Sequence, residues 1–200
     1  MKKLVLASSN PGKLREFEAL LAPLGMEVVP QASLGVSDAE EPHGTFVENA
    51  LAKARHASRA ARLPALADDS GLCVPALGGE PGVHSAYYAG PEGDRDARDA
   101  RNNRKLLAEL LDERAAYYCC VMVLVRRPDD PRPLIAEGLW HGEIARAPRG
   151  ANGFGYDPLF VVAGTGRTAA ELAPADKNRI SHRALAARRL LEMLHGEDRA

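Results

Sequence analysis

Surplus charge, paired cysteines and long apolar runs are all missing from this chain, and each absence removes a class of function. Twenty-six Lys and Arg against 27 Asp and Glu leave a formal charge of −1. Coating nucleic acid takes a broad surplus of cations, so nucleic acid is not an expected partner. A compact phosphate ligand held by a few local cations is compatible with that balance. The three cysteines, Cys73, Cys119 and Cys120, form no C-x-x-C. Neighbours on a strand face opposite ways, so they read as buried thiols in a reducing, cytoplasmic setting. The longest apolar run, residues 117–125, is far too short to span a bilayer. Met1-Lys2-Lys3 and the apolar residues after it imitate the start of a signal peptide, but Ser8-Ser9-Asn10 interrupts them. There is no internal repeat and no low-complexity linker. With 46% hydrophobic and 26% charged residues, the composition is that of an ordinary cored domain.

What is present is organised around Leu66-Ala67-Asp68-Asp69-Ser70-Gly71-Leu72. Adjacent carboxylates repel and resist burial unless a cation, a hydrogen bond or a proton compensates them, which marks a working site. The same residue types also make turns. Residues 63–67 read as a strand delivering Asp68 and Asp69 at its carboxyl end, where open α/β sheets place ligands.

Upstream, residues 4–7 read as a buried strand that stops at Ser8-Ser9-Asn10-Pro11-Gly12-Lys13. Asn10 is a natural N-cap, Pro11 suits the first helical position, and Phe17, Leu20, Leu21 and Leu24 recur at helical spacing up to Gly25. A strand, a polar loop and a helix N-terminus with Lys13 can bind phosphate through first-turn N–H groups. An ordinary βα connection has the same outline, because the glycines of a Walker loop are missing. Residues 26–30 form the second strand, followed by the acidic loop Ser37-Asp38-Ala39-Glu40-Glu41-Pro42. Thr45-Phe46-Val47-Glu48 fits a capping box opening a helix to about Arg62. Asn49 and Lys53 share an otherwise apolar face with Phe46, Ala50 and Ala57, and such polar groups snorkel or meet a ligand.

Downstream, residues 76–96 read as a long loop containing Ser85-Ala86-Tyr87-Tyr88. A helix over about 96–111 carries Arg98, Arg101, Arg104 and Lys105, most simply a solvated basic face. Residues 117–125 and 134–144 read as a hairpin around Pro128-Asp129-Asp130-Pro131, giving a β-rich second lobe. Gly150-Ala151-Asn152-Gly153-Phe154-Gly155-Tyr156-Asp157-Pro158 allows close backbone approach to a flat ligand, with Phe154 to stack on it and Asp157 to accept its hydrogen bonds. The competing reading is a glycine-rich turn whose aromatics plug the core. Finally Ser181 reads as the N-cap of a helix that places His182 and Arg183 in its first turn. Cations there oppose the helix dipole, which an anion or a carbonyl-bearing ligand would explain. Carboxylates, lysines and a stacking aromatic together match a nucleoside triphosphate with Mg²⁺, which takes one or two carboxylates plus waters and phosphate oxygens.

Five motifs in order, Ser8-Ser9-Asn10-Pro11-Gly12-Lys13, Thr45-Phe46-Val47-Glu48-Asn49-Ala50 with Lys53, Ala67-Asp68-Asp69-Ser70-Gly71-Leu72, Gly153-Phe154-Gly155-Tyr156-Asp157-Pro158 and Ser181-His182-Arg183, closely resemble those of the Ham1/RdgB family, the inosine/xanthosine triphosphate pyrophosphatases. Two departures stand out: Tyr87 where bacterial members typically carry arginine, and the glycine before Thr45, which comes one place late. The resemblance implies an α/β fold of the Maf/Ham1 type, with a mixed sheet, flanking helices and two lobes around a central nucleotide cleft. It implies one such domain over residues 1–196, with 197–200 a frayed tail, and a homodimer. The activity implied is hydrolysis of ITP, dITP or XTP to the monophosphate and pyrophosphate with Mg²⁺. Asp69 is implied as general base and metal ligand, and Glu41 as the second metal carboxylate, with Glu40 the alternative. Ser8, Ser9, Asn10, Pro11, Gly12, Lys13, Lys53, Ser70 and Lys177 would meet phosphates and sugar. Phe154, Gly155, Tyr156, Asp157, His182 and Arg183 would hold the base. A Maf-like pyrophosphatase of modified pyrimidine nucleotides and a non-catalytic nucleotide-binding regulator are the alternatives.

Overall fold

A computed structural model describes residues 3–22 and 25–197. Its six strands form one mixed sheet in the order β2-β1-β3-β4-β5-β6. β1 (Lys3–Leu6) lies parallel to both β2 (Glu27–Pro30) and β3 (Ala65–Cys73). β4 (Ala115–Val125) and β5 (Leu134–Ile144) follow, and β6 (Phe160–Val162) runs antiparallel to β5. β5 alternates buried and exposed residues, as a strand with one solvated face should, whereas β4 is covered on both sides from Tyr118 onward. The Asp130 carboxylate accepts from the N–H groups of Arg126 and Arg132 at 2.9 Å each, closing the turn before β5.

The helices are α1 (Pro11–Leu21), α2 (Phe46–Ala61), α3 (Arg95–Glu109), α4 (Pro174–Ile180) and α5 (His182–Glu197). Asn10 caps α1 as expected. Leu24, expected on its apolar stripe, lies outside the described residues. α2 ends where Arg62 turns left-handed at φ 54°. Its start differs from a full capping box. Thr45 Oγ1 accepts from Glu48 N–H at 3.4 Å but also donates to the Glu48 carboxylate at 2.6 Å, which occupies the group expected to reach back to the backbone. No described helix is long and apolar enough to cross a membrane.

The chain divides into two compact units, residues 1–69, 120–138 and 182–200, and residues 70–119 and 139–181. Each has its own core. Leu4, Leu6, Phe17, Leu66, Met122, Leu124 and Leu190 fill the first, and Leu72, Tyr118, Trp140, Tyr156 and Phe160 the second. The cysteines are free thiols, all buried.

Several sequence expectations need correction. β3 does not stop before the aspartates but continues through them to Cys73. The pairing partner ends instead: β1 stops at Leu6, opposite Leu66, so the parallel ladder lapses just before Asp68 while the strand itself runs on. β6 and α4 were not anticipated, each being too short to show a period. Ser181 does stand in extended conformation directly before α5, as expected of its N-cap, and it also terminates α4. The segment after β3 is not a bare loop but carries 3-10 turns at Pro75–Leu77 and Gly82–Tyr87. Asn102 of α3 pins the second of these, donating to the carbonyls of Ser85 and Ala86 at 3.2 Å each.

Candidate active site

In the first unit the two aspartates of β3 sit in different electrostatic settings. Asp68 is almost wholly buried and pairs with Lys13 of α1 at 2.9 Å and with Arg183 of α5 at 3.4 Å. Burial alone would raise its pKa, but Lys13, then Arg183 and Lys53, outweigh that and hold the carboxyl well below the usual range. Asp68 is therefore a fixed anion. Asp69 is also buried, and it accepts from Lys53 Nζ at 3.2 Å and Asn49 Nδ2 at 3.2 Å. Here burial dominates, joined by repulsion from Glu41 and Asp68 and only partly countered by Lys53 and Lys13, and the Asp69 pKa is raised. A carboxylate with a raised pKa in a polar site has the character of a general base.

Lys53 joins the acidic loop to the strand. Its ammonium is 2.9 Å from Glu41 and 3.2 Å from Asp69. Burial pulls its pKa down, yet Asp69, Asp68 and Glu41 together lift it above the ordinary value, so it stays charged. Asn49 completes the link, its side chain bonding both the N–H and the carbonyl of His43 while reaching Asp69. The Asn49 and Lys53 singled out on α2 thus both meet Asp69. Of the two exposed glutamates, Glu41 is the one that meets Lys53.

The loop before α1 differs from the expected anion cradle. The Asn10 carboxamide oxygen takes the N–H groups of Gly12 at 2.9 Å and Lys13 at 3.2 Å, and the Asn10 carbonyl takes that of Leu14. Pro11 has no N–H, so the first-turn donors are accounted for within the helix. Side chains remain for an anion: buried Ser8, Ser9, which donates to Asp38 at 2.7 Å, and Lys13. Arg183 too finds its anions inside the protein. Only 1% exposed, its guanidinium pairs with Asp68 and Glu16, supplying the negative charge that the dipole argument sought from a ligand. Glu16 was missed because it lies 167 residues away in sequence. His182 is also buried, where the α5 backbone approaches Gly138 so closely that only glycine fits: a Cβ on Gly138 would overlap the His182 carbonyl and the Ala186 N–H.

In the second unit, Asp157 organises the glycine loop. Its carboxylate accepts from Phe154 N–H at 2.9 Å and pairs with Lys177 at 2.6 Å, both partners on one oxygen. Lys177, expected with the phosphates, thus stands with the aromatic loop, its Nζ 5.0 Å from the Phe154 ring centroid. Tyr156 is buried and donates to the Ser85 carbonyl at 2.9 Å. Of the two readings of this loop, core plug and ligand platform, Tyr156 follows the first, while Phe154 is only half-buried. Gly153 sits at φ 77°, and a Cβ there would run into the Asp157 carboxylate. Gly153→Ala should therefore cost about 1–3 kcal/mol of stability in a denaturant melt, with the loop displaced. Ser70, the first residue of this unit, is half-buried in β3, and Gly71 packs against the Gly82 carbonyl. Tyr87 is 55% exposed with Arg98 5.2 Å from its ring centroid.

Sequence reading missed Arg95, Asp99 and Asn103 of α3, which touch Phe154 and Gly155. Their i, i+4, i+8 spacing was a usable signal, obscured by the arginines that made the helix read as a solvated face.

Comparison with known proteins places this geometry. The model of the Ham1 family matches residues 4–193. A dITP/XTP pyrophosphatase from Ralstonia nicotianae is 62% identical over 97% of this chain and 97% of its own. One from Burkholderia pseudomallei is 64% identical over 96% of this chain and 93% of its own. Among solved structures, a HAM1 protein from Coxiella burnetii has TM-score 0.88 at 49% identity, covering 98% of this chain and all of that one. The Staphylococcus aureus Ham1 protein has TM-score 0.85 at 38% identity with the same coverage. Full-length sequence and structural agreement leave one conclusion, that this chain belongs to the Ham1 family.

Proposed function

We propose that this protein hydrolyses the non-canonical purine triphosphates ITP, dITP and XTP to the monophosphate and pyrophosphate, clearing deaminated purines from the nucleotide pool. The observation that carries the reading is the meeting of Glu41 and Asp69 on one ammonium, with Asp69 raised in pKa. Relatives named dITP/XTP pyrophosphatase, similar over nearly their whole length, support it over a Maf-like pyrimidine enzyme or a pure binder.

The donor set fits a divalent cation. Two carboxylates already converge on a positive charge, and hard oxygen donors of that number are what Mg²⁺ uses alongside phosphate oxygens. Asp69 and Glu41 would hold it. When bound, such an ion neutralises charge on the phosphates. Asp69 orients a water toward the α-phosphorus and takes its proton, a role suited to a carboxylate with a raised pKa. Lys13, kept in place by Asp68, and Lys53 offset charge on the departing pyrophosphate, with Ser8, Ser9 and Ser70 as polar contacts and Asn10 holding the turn that carries Lys13. Phe154 stacks on the base, with Asp157 and Lys177 supporting it. His182 donates to the C6 oxygen of hypoxanthine or xanthine, and Arg183, tied to Asp68 and Glu16, holds that helix start in place. Adenine presents an amino donor there and leaves such a donor unpaired, which can discriminate by orders of magnitude. In this reading residues 1–196 act as one domain in a cytoplasmic homodimer, which sedimentation velocity would test.

Incubation with ITP, dITP, XTP, ATP and GTP plus Mg²⁺, with pyrophosphate and orthophosphate assayed separately, tests the activity. Pyrophosphate from the non-canonical purines, with ATP at least about a hundredfold poorer in kcat/KM, is expected. Orthophosphate as sole phosphate product, or equal rates on ATP and ITP, would refute it.

A further inference from the structure

One face of α3 bears on the aromatic loop in a way the chemistry above does not use. Arg95, Asp99 and Asn103 follow one another at one-turn intervals, so they project along one stripe of the helix. Each meets the loop inside the second unit. The Arg95 guanidinium carbon lies 4.5 Å from the centroid of the Phe154 ring. An Asp99 carboxylate oxygen accepts from the Gly155 N–H at 2.8 Å and lies 3.9 Å from Arg95 Nε. The Asn103 amide donates to the Gly155 carbonyl at 3.0 Å.

These contacts add to one already described. Phe154 N–H is held by Asp157. Three consecutive peptide groups are therefore each tied to a side chain: the one before Phe154 by Asp157, the one after it by Asp99, and the next by Asn103. Gly155 sits at φ 62°, and the space where its Cβ would be is open, so no side-chain packing orients it. Its direction comes from its backbone hydrogen bonds. The Phe154 side chain leaves the backbone between the first two tethers, so the direction of its Cα–Cβ bond follows from them, and the Arg95 guanidinium over the ring restrains its remaining torsions.

We propose that the Arg95, Asp99 and Asn103 face of α3 is the positioning element for base binding, setting the placement of the Phe154 ring through the two peptide groups that flank Gly155. This rests on the reading that Phe154 stacks on the purine. Asp99 and Asn103 are positioning residues, with Arg95 capping the ring and restraining Asp99.

Steady-state kinetics with dITP and Mg²⁺ on the full chain test it, alongside Phe154→Ala as reference. Asp99→Ala and Asn103→Ala are each expected to raise KM about five- to tenfold, the effect of one lost hydrogen bond, with kcat changed less than twofold. Asp99→Asn, whose amide oxygen still accepts from Gly155, should restore most of the loss. In a Phe154→Ala background, Asp99→Ala should add little, because the ring it positions is gone. Variants with lowered melting temperature but KM within twofold of wild type would overturn the proposal, as would full additivity with Phe154→Ala. Should Asp99→Ala fail to fold, Asn103→Ala reads the same tether independently. An unchanged KM in Phe154→Ala itself would instead remove the stacking reading, so the two failures are distinguishable.

Discussion

Asp69→Asn should lower kcat on ITP by at least about a thousandfold while leaving the protein folded and no less stable. The loss follows from removing both the proton acceptor and one of the two carboxylates facing Lys53. The retained stability follows from the pKa direction. Burial, with Glu41 and Asp68 nearby, raises Asp69 above its unfolded value despite Lys53 and Lys13. A group raised on folding contributes stability that is present below the unfolded pKa and lost as pH rises through the folded one. Asparagine cannot ionise and escapes that loss. In metal-free buffer the variant's melting temperature should therefore match wild type near pH 4 and exceed it increasingly toward neutrality. Near wild-type turnover would exclude Asp69 as the base, and a variant that melts well below wild type at pH 7 would contradict the electrostatic account.

Arg183→Met is expected to produce the largest loss of stability, about 3–5 kcal/mol, because it removes one partner from a buried charge network. Asp68 would keep Lys13 but lose the guanidinium, and Glu16 would lose its contact with Arg183. The sign with pH is opposite to that at Asp69. Lys13 and Arg183 overcome burial and depress Asp68, so its contribution is present above the unfolded pKa and lost as pH falls toward the folded one. The gap between wild type and Arg183→Met should thus be widest near neutrality and narrow below about pH 4. Adding Asp68→Asn should recover part of the loss, since a buried carboxylate with one fewer compensating cation is what makes the single change severe. Urea melts of the wild type, both single variants and the double variant measure this coupling. Purely additive effects would mean that the Asp68–Arg183 contact carries no energy of its own.

Legibility in the sequence tracked the range of the interactions involved. Local periodicity and capping located α1, α2 and β5, because a helix stripe, an Asn-Pro start and a strand alternating between core and solvent are written within a few residues of one another. The helical spacing of Asn49 and Lys53 was equally local, and both reach Asp69. β6 and α4 escaped because three to seven residues cannot display a period. α3 was located but its contact with the aromatic loop was missed, since charge counting does not say which turn of a helix faces a loop 56 residues further on.

By itself, then, the sequence determined the family, the order of the motifs and the residue types that a metal and a triphosphate require. Through the family resemblance it also implied Asp69, rather than Asp68, as the base. Tertiary structure alone decided what each charged group pairs with: Asp68 with Lys13 and Arg183 as a fixed anion, Asp69 with Lys53, whose ammonium also meets Glu41. The physical reason is that burial and the distance to opposite charge set a carboxylate's character. Both come from segments far apart in the chain and brought together only by folding.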